Sequence, residues 1–334
     1  MTSVLQSSAT AARRALKVRA SYALSLKQSC HANTIPNRRF STLNNVTLHE
    51  NPLGLPRDDK TRQFIPRMSK GLPVKQRIPN VRKILLVSSG KGGVGKSTVA
   101  VNVAVGLRDQ GLSVGILDAD IFGPSVPKLM NLSGSPRLSK DKQHLLPLVN
   151  YGIQTMSMGY LIPKESSAIV WRGLMVMKAM QQLLFEVDWQ GPLDVLVIDM
   201  PPGTGDVQLT LSQQCVIDGA VIVSTSQDVA LIDAQKGITM FEKVKIPILG
   251  LVENMSYFVC PNCNHEEHIF GENGVIEEAK IRNLEILGSV PLNKEICLQS
   301  DKGLPITISD PESKLSQPYF EISKKVKEKL FADK

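Results

Sequence analysis

The stretch Gly90-Lys91-Gly92-Gly93-Val94-Gly95-Lys96-Ser97-Thr98 constrains this chain more than any other. It follows an apolar run, Ile84-Leu85-Leu86-Val87, and opens a segment whose apolar residues Val99, Val103 and Leu107 recur at helical spacing. A strand that turns through glycines into a helix is the setting a phosphate-binding loop requires. Glycines let the backbone curl until successive N–H groups face the same phosphate oxygens. The helix N-terminus adds unpaired donors and the positive end of its dipole. In that setting Lys96 would neutralise the β- and γ-phosphates of ATP, and the Ser97 hydroxyl would ligate Mg²⁺.

The loop begins only at residue 90 of 334, and the residues from 80 to 334 suffice for one α/β domain with a sizeable core. The formal charge of +8 invites a nucleic-acid reading, but its distribution argues against one. Residues 1–49 hold seven basic side chains (Arg13, Arg14, Lys17, Arg19, Lys27, Arg38, Arg39) and no Asp or Glu. Subtracting those seven from 39 basic residues leaves 32 against 31 acidic ones, a nearly neutral body. The Arg- and Ser-rich, acid-free start reads as a mitochondrial transit peptide over residues 1–40, with Arg38-Arg39-Phe40-Ser41 as the processing site. The expected compartment is the mitochondrial matrix. A basic tail with another use is the competing reading. Residues 41–79 are polar and broken by Pro52, Pro56, Pro66, Pro73 and Pro79, which predicts an extension with little structure of its own. No apolar run reaches the length of a membrane span.

From residue 84 onward, strand and helix patterns alternate. Strands are predicted at 84–89, 113–117, 153–156, 195–198, 219–224, 248–252 and 285–289. Helices are predicted at 97–109, 173–187, 207–215, 230–243, 272–282 and 317–331, with an irregular stretch over 122–148. Alternation of this kind implies an α/β fold, a mostly parallel sheet with helices on both faces. Right-handed crossovers then gather the loops after the strands on one rim, where ligands bind.

Four motifs fall on that rim. Asp194-Val195-Leu196-Val197-Ile198-Asp199 is an apolar strand ending in a carboxylate placed to hold Mg²⁺. The loop after it, Met200 to Asp206, holds two prolines and two glycines and suits a γ-phosphate sensor. Asp118 and Asp120 close another strand; Asp118 is assigned to the metal side and Asp120 to orienting the attacking water. Helix capping is the alternative for that pair. Asn254 ends a third strand, where its amide would read the adenine edge or simply form a turn.

Cys260-Pro261-Asn262-Cys263 follows that strand. Two thiolates at this spacing grip one metal or one edge of an iron–sulfur cluster, but both usually need four ligands. A second chain could supply the other pair, or His265 and His268 could complete a zinc site within one chain. A redox pair is a third reading. Of the remaining cysteines, Cys30 lies in the presequence, and Cys215 and Cys297, among apolar neighbours, are expected to be buried. The methionines at 175, 177 and 180 read as core filler. The terminal helix pairs Tyr319, Ile322, Val326 and Leu330 with a basic face, as a packing helix or a membrane-surface helix would.

Lys91, directly after the first glycine, is not needed by an ordinary phosphate loop. It resembles the second lysine of the deviant Walker A ATPases of the ParA/MinD kind, which reaches across a dimer to the partner's nucleotide. Together with Asp120 through Ser125, Trp171-Arg172-Gly173, Asp199 through Asp206 and the Cys260/Cys263 pair, the loop is similar to the Mrp/NBP branch of those ATPases. Met68-Ser69-Lys70-Gly71-Leu72-Pro73 and Trp171 to Met177 resemble its mitochondrial members. The resemblance runs from about residue 68 to the C-terminus and implies a SIMIBI-like P-loop NTPase over 80–334. It further implies a homodimer bridged by a [4Fe–4S] cluster on Cys260 and Cys263. Clients would be apo iron–sulfur subunits of respiratory complex I, with upstream cluster-assembly proteins as donors. An extra four-cysteine N-terminal motif of cytosolic relatives is absent, and Glu253-Asn254 stands where the nearest relatives would have Gln-Asn.

Two further classes compete. A positioning ATPase of the ParA/MinD kind would need a basic or membrane-binding face and gives the cysteine pair no task. A reductase resembling nitrogenase iron protein would use single, widely separated cysteines, unlike Cys260 and Cys263.

Overall fold

The computed structural model describes residues 75–140, 143–161 and 173–332. The transit-peptide segment, nearly all of the 41–79 extension, and Trp171-Arg172 lie outside the described residues. Everything below concerns the compact unit that ends at Lys334.

Strands β1 (Val81–Ser88), β2 (Val114–Asp118), β3 (Leu148–Asn150), β4 (Ile153–Ser157), β5 (Leu193–Asp199), β6 (Gly219–Ser224), β7 (Ile248–Asn254) and β10 (Ile286–Val290) form one sheet. Its order is β10-β7-β6-β1-β5-β2-β4-β3. All pairings are parallel except β3 with β4 at the edge. A short hairpin, β8 (Phe258–Val259) and β9 (Glu266–Glu267), stands apart. The helices are α1 (Lys96–Asp109), α2 (Val126–Leu129), α3 (Gly173–Phe185), α4 (Asp206–Gln214) and α5 (Asp228–Lys243). They continue as α6 (Gly274–Ile281), α7 (Lys294–Asp301), α8 (Ile306–Ser309) and α9 (Gln317–Leu330).

The period-2 geometry of the central strands builds two cores, one per sheet face. Ile84, Leu86, Leu196 and Ile198 pack with Met180, Trp189 and Phe241 on one side. Leu85, Val87, Val195 and Val197 pack with Val103, Leu107, Tyr319 and Ile322 on the other. This explains why β1 and β5 are apolar without alternation: both their faces are covered. Truncating such a fully buried leucine to alanine costs about 2–5 kcal/mol.

The structure departs from expectation in a few places. The region predicted as irregular contains α2 and ends where β3 begins, and two short helices, α7 and α8, lie outside the predicted elements. Cys297 is exposed, not buried. Its helix lies at the surface with Ile296 as its one buried residue, and the turn of about 100° to the next position carries Cys297 into solvent. Cys215 is buried as expected, and burial pushes its thiol up to about 12. Ahead of β1, Gln76 forms a β-bridge with Cys215, and Ile78 is buried. The apolar face of α9 is spent on the core, while Lys325 and Lys329 engage Glu285. Among the described residues no helix is long and apolar enough to cross a membrane.

Candidate nucleotide site and cysteine hairpin

Parallel pairing sets Val87 and Asp118 opposite Asp199, so the ends of β1, β2 and β5 meet at one point on the rim. The phosphate loop leaves β1 there and enters α1, whose first bond is Val99 N–H to Gly95 O at 3.0 Å. Two glycines have no substitute. A Cβ on Gly90 would lie 2.1 Å from the backbone carbon of Asp233 on α5. Gly95 has φ +80°, and a Cβ there would meet Asn254 Nδ2 at 2.1 Å. The loop borders a cleft of about 310 Å³, lined by Lys91, Lys96, Ser97, Thr98, Asp120 and Pro202 among others. Lys128, Ser300 and Asp301 form a further wall that the sequence did not reveal.

Lys96 is buried and pairs with the fully buried Asp199, while its Nζ also lies 3.1 Å from Ser97 Oγ. Burial pushes the Asp199 carboxyl above its ordinary value, against the opposing pull of Lys96 and Ser97. Asp199 Oδ2 has no hydrogen-bond partner among the described residues. An orphaned, buried carboxylate oxygen is a costly arrangement that a cation would relieve. Asp199 and Ser97 therefore fit Mg²⁺, the former directly or through water. Bound there, the ion would draw charge from the phosphate oxygens.

Asp118 and Asp120 divide differently from the spacing argument. Asp118 is fully buried and accepts from Asp120 N on Oδ1 at 3.1 Å. Its Oδ2 accepts from Ser125 N, Val126 N and Ser157 Oγ at 3.1, 3.2 and 3.1 Å. Its visible task is thus to anchor the 120–126 loop and the start of α2, not to face the cleft. Burial, then the nearby Asp199 charge, raises its carboxyl to about 7. Asp120 does line the cleft, with Oδ1 accepting from Gly123 N at 3.2 Å.

The loop after β5 is tied to β1 by Met200 N–H to Val87 O at 3.0 Å and Gly203 N–H to Ser89 O at 2.9 Å. Gln208, buried on α4, sends its Nε2 to the carbonyls of Pro201, Pro202 and Gly203 at 2.7, 3.2 and 2.9 Å. Nothing in the sequence pattern marks Gln208. Asn254 is buried behind the phosphate loop and donates from Nδ2 to Val94 O at 2.7 Å.

Cys260 and Cys263 occupy the tip of the β8–β9 hairpin, the first half-buried and the second exposed. Cys260 N–H donates to His265 O and Asn264 N–H donates to Cys260 O, both at 2.9 Å. Asn264 takes the left-handed conformation (φ +57°) that this tight turn needs. Backbone hydrogen bonds from Asn262 and then Cys263, with the Cys263 side chain, hold the Cys260 thiol below its ordinary value. That favours thiolate, the metal-binding form. His265 pairs with Glu267 at 3.3 Å, and His268 turns its Nδ1 to Ser256 O at 2.9 Å. Among the described residues no group of three His, Cys, Asp or Glu is poised for a metal.

Residues 80–327 match the sequence family described as "ParA: NUBPL iron-transfer P-loop NTPase". The chain belongs to that family. Among other NUBPL-type sequences, it is 54% identical over 265 residues to the mouse "Iron-sulfur cluster transfer protein NUBPL", covering 79% of this chain and 82% of that one. It is 49% identical over 265 residues to the Arabidopsis thaliana "Iron-sulfur protein required for NADH dehydrogenase, mitochondrial", covering 79% and 84%. A nucleotide-binding protein from Archaeoglobus fulgidus, solved with ADP, superposes with TM-score 0.62 at 39% identity, covering 73% of this chain and 93% of that one. The Pyrococcus furiosus cell-division ATPase MinD shares the fold alone, at TM-score 0.55 and 19% identity over 74% of this chain and 98% of its own.

Proposed function

We propose that this protein is an ATP-dependent iron–sulfur cluster carrier that acts in the mitochondrial matrix during assembly of respiratory complex I. The observation that carries the reading is the cysteine hairpin: two thiols at its tip, no third ligand gathered with them among the described residues, on a domain that also holds a phosphate loop. The names of the mouse and plant relatives agree with it. A [4Fe–4S] cargo needs about four thiolates, so two chains would each give Cys260 and Cys263. Release to a client is then a ligand exchange. Four client thiolates replace four carrier thiolates, the displaced sulfurs take up the protons the client thiols lost, and no electron moves.

In this reading the homodimer closes along the rim, and Lys91 reaches the partner's phosphates. Lys96, Ser97 and Asp199 hold Mg-ATP, with Gly90 to Thr98 wrapping the phosphates. Asp120 orients the attacking water. Reading of the adenine edge would fall to Asn254 Oδ1, since Nδ2 is given to Val94. Separating the halves after hydrolysis weakens every grip on the cluster at once. Apo complex I subunits are the clients, and upstream cluster-assembly proteins the donors. The near-neutral body gives nucleic acid little to hold.

Cluster transfer to an apo [4Fe–4S] acceptor, timed with ATP, ADP and no nucleotide, tests this function. Transfer should depend on which nucleotide is bound, and Lys91→Ala should slow it while ATP binding stays within about a few-fold. Equal rates in all samples would overturn the coupling of ATPase and cargo.

A further inference from the structure

The cysteine hairpin is tied to the back of the phosphate loop by a short run of contacts. At one end, Asn254 donates to Val94 O at 2.7 Å, and its Nδ2 fills the space where a Cβ on Gly95 would stand. The side chain and the loop therefore fit without slack. Two residues later, Ser256 is buried and held by β10, its N–H and Oγ both donating to Val290 O at 3.0 Å. The carbonyl of Ser256 faces Nδ1 of His268 at 2.9 Å. A carbonyl can only accept, so Nδ1 carries the hydrogen.

His268 directly follows β9 and closes the base of the hairpin. Its ring meets Tyr257 edge-on at 6.5 Å, and its carbonyl accepts from Gly271 N–H at 3.1 Å. Tyr257 O in turn accepts from Leu292 N–H at 2.7 Å. Between the two anchors, Met255 has φ +55°, a conformation side-chain-bearing residues seldom occupy. Such a residue has a lower-energy alternative when its surroundings shift.

We infer that His268 is a positioning residue: its hydrogen bond to Ser256 fixes the Cys260/Cys263 hairpin to the segment that backs the phosphate loop, so a nucleotide-driven change in that loop reaches the cysteines. A bound nucleotide draws the loop's N–H groups toward its phosphates, and the carbonyl of Val94 moves with them. Asn254 follows that carbonyl. Three consecutive residues span only about 7 Å, so Met255 alone can absorb the displacement before Ser256 feels it. His268 then passes the motion to the hairpin base. The purpose of this link, control of a metal cargo, rests on the carrier reading above; the link itself does not.

The test uses the full-length, metal-free, reduced protein and N-ethylmaleimide. Alkylation of Cys260 and Cys263 is followed residue by residue by mass spectrometry, with and without Mg-ATP. In the wild type, Mg-ATP should change the two rates by about three-fold or more, as a shift between two hairpin states requires. His268→Asn, whose amide places an N–H near the position of Nδ1, should keep that response. His268→Ala should bind Mg-ATP with about the wild-type affinity and lose the response. A His268→Ala protein that responds like the wild type would overturn the inference, as would a wild type that does not respond. Loss of Mg-ATP binding in His268→Ala would overturn it too, because His268 would then support the nucleotide site itself. A wild type that responds yet takes up no iron would defeat the carrier reading and leave the role of His268 standing.

Discussion

The ammonium of Lys96 is paired with the carboxylate of Asp199 in a site where both side chains are buried. The residue meant to neutralise phosphate is therefore already neutralised, and an incoming nucleotide must compete with Asp199 for it. Removing one partner of a buried pair leaves an uncompensated charge and costs about 3–5 kcal/mol. Lys96→Ala should lower the urea midpoint of the ligand-free protein and also weaken Mg-ATP binding. A double-mutant cycle with Asp199→Asn should show a coupling above about 1 kcal/mol. Additive losses would mean that the pair contributes nothing as a pair.

Asp120 faces the cleft, whereas Asp118 is consumed by four hydrogen bonds inside the fold. Asp120→Ala should spare ATP binding and reduce turnover by about a hundred-fold or more. Steady-state hydrolysis beside equilibrium binding measures both. Normal turnover in Asp120→Ala would remove it from the water-orienting role.

The Nε2 group of Gln208 serves three carbonyls at once. Gln208→Leu keeps the volume and deletes that donor, at a cost of about 1–3 kcal/mol. The Gly203 amide, which bonds to Ser89, should exchange its hydrogen faster. Unchanged exchange there would show that the loop holds its shape without Gln208.

Asp118 gives an unusual pH signature. Its folded value of about 7 lies above the ordinary 3.8, because burial and the Asp199 charge disfavour the ionised form. The folded state therefore binds the proton more tightly than the unfolded chain between those values. Its contribution to stability is complete below about pH 4 and lost as pH rises through about 7. Urea unfolding of the nucleotide-free protein should show the stability gap between wild type and Asp118→Asn narrowing across that window. A gap that widens with pH would reverse the sign.

The parts of the site readable in advance were those where chemistry demands a residue type at a fixed spacing. Gly90 and Gly95 are such cases: the loop has no room for a side chain at either. Asp199 is another, since an apolar strand buried on both faces must end where it meets the rim. Asp118 and Asp120 were found as a pair and given separate roles, metal side and water side, but spacing cannot say which carboxylate turns inward. Gln208 carried no signal at all, and His268 was marked only as a candidate zinc ligand, as their partners are backbone carbonyls that no sequence pattern displays. Helix α7 escaped for a related reason. Only Ile296 of its residues is buried and Leu298 is exposed, so the apolar period that marks a helix is missing. The same weak pattern misplaced Cys297.

One measurement bears most directly on the cysteine hairpin: iron and acid-labile sulfide per chain in anaerobically reconstituted protein, taken together with its mass in solution. Two hairpin thiols per chain, Cys260 and Cys263, predict about four irons and four sulfides per pair of chains, a brown oxygen-sensitive chromophore, and a dimer. Replacing Cys260 or Cys263 with alanine should abolish the colour and leave Mg-ATP binding intact. A colourless monomer holding one zinc per chain, lost on replacing His265 or His268, would contradict the account.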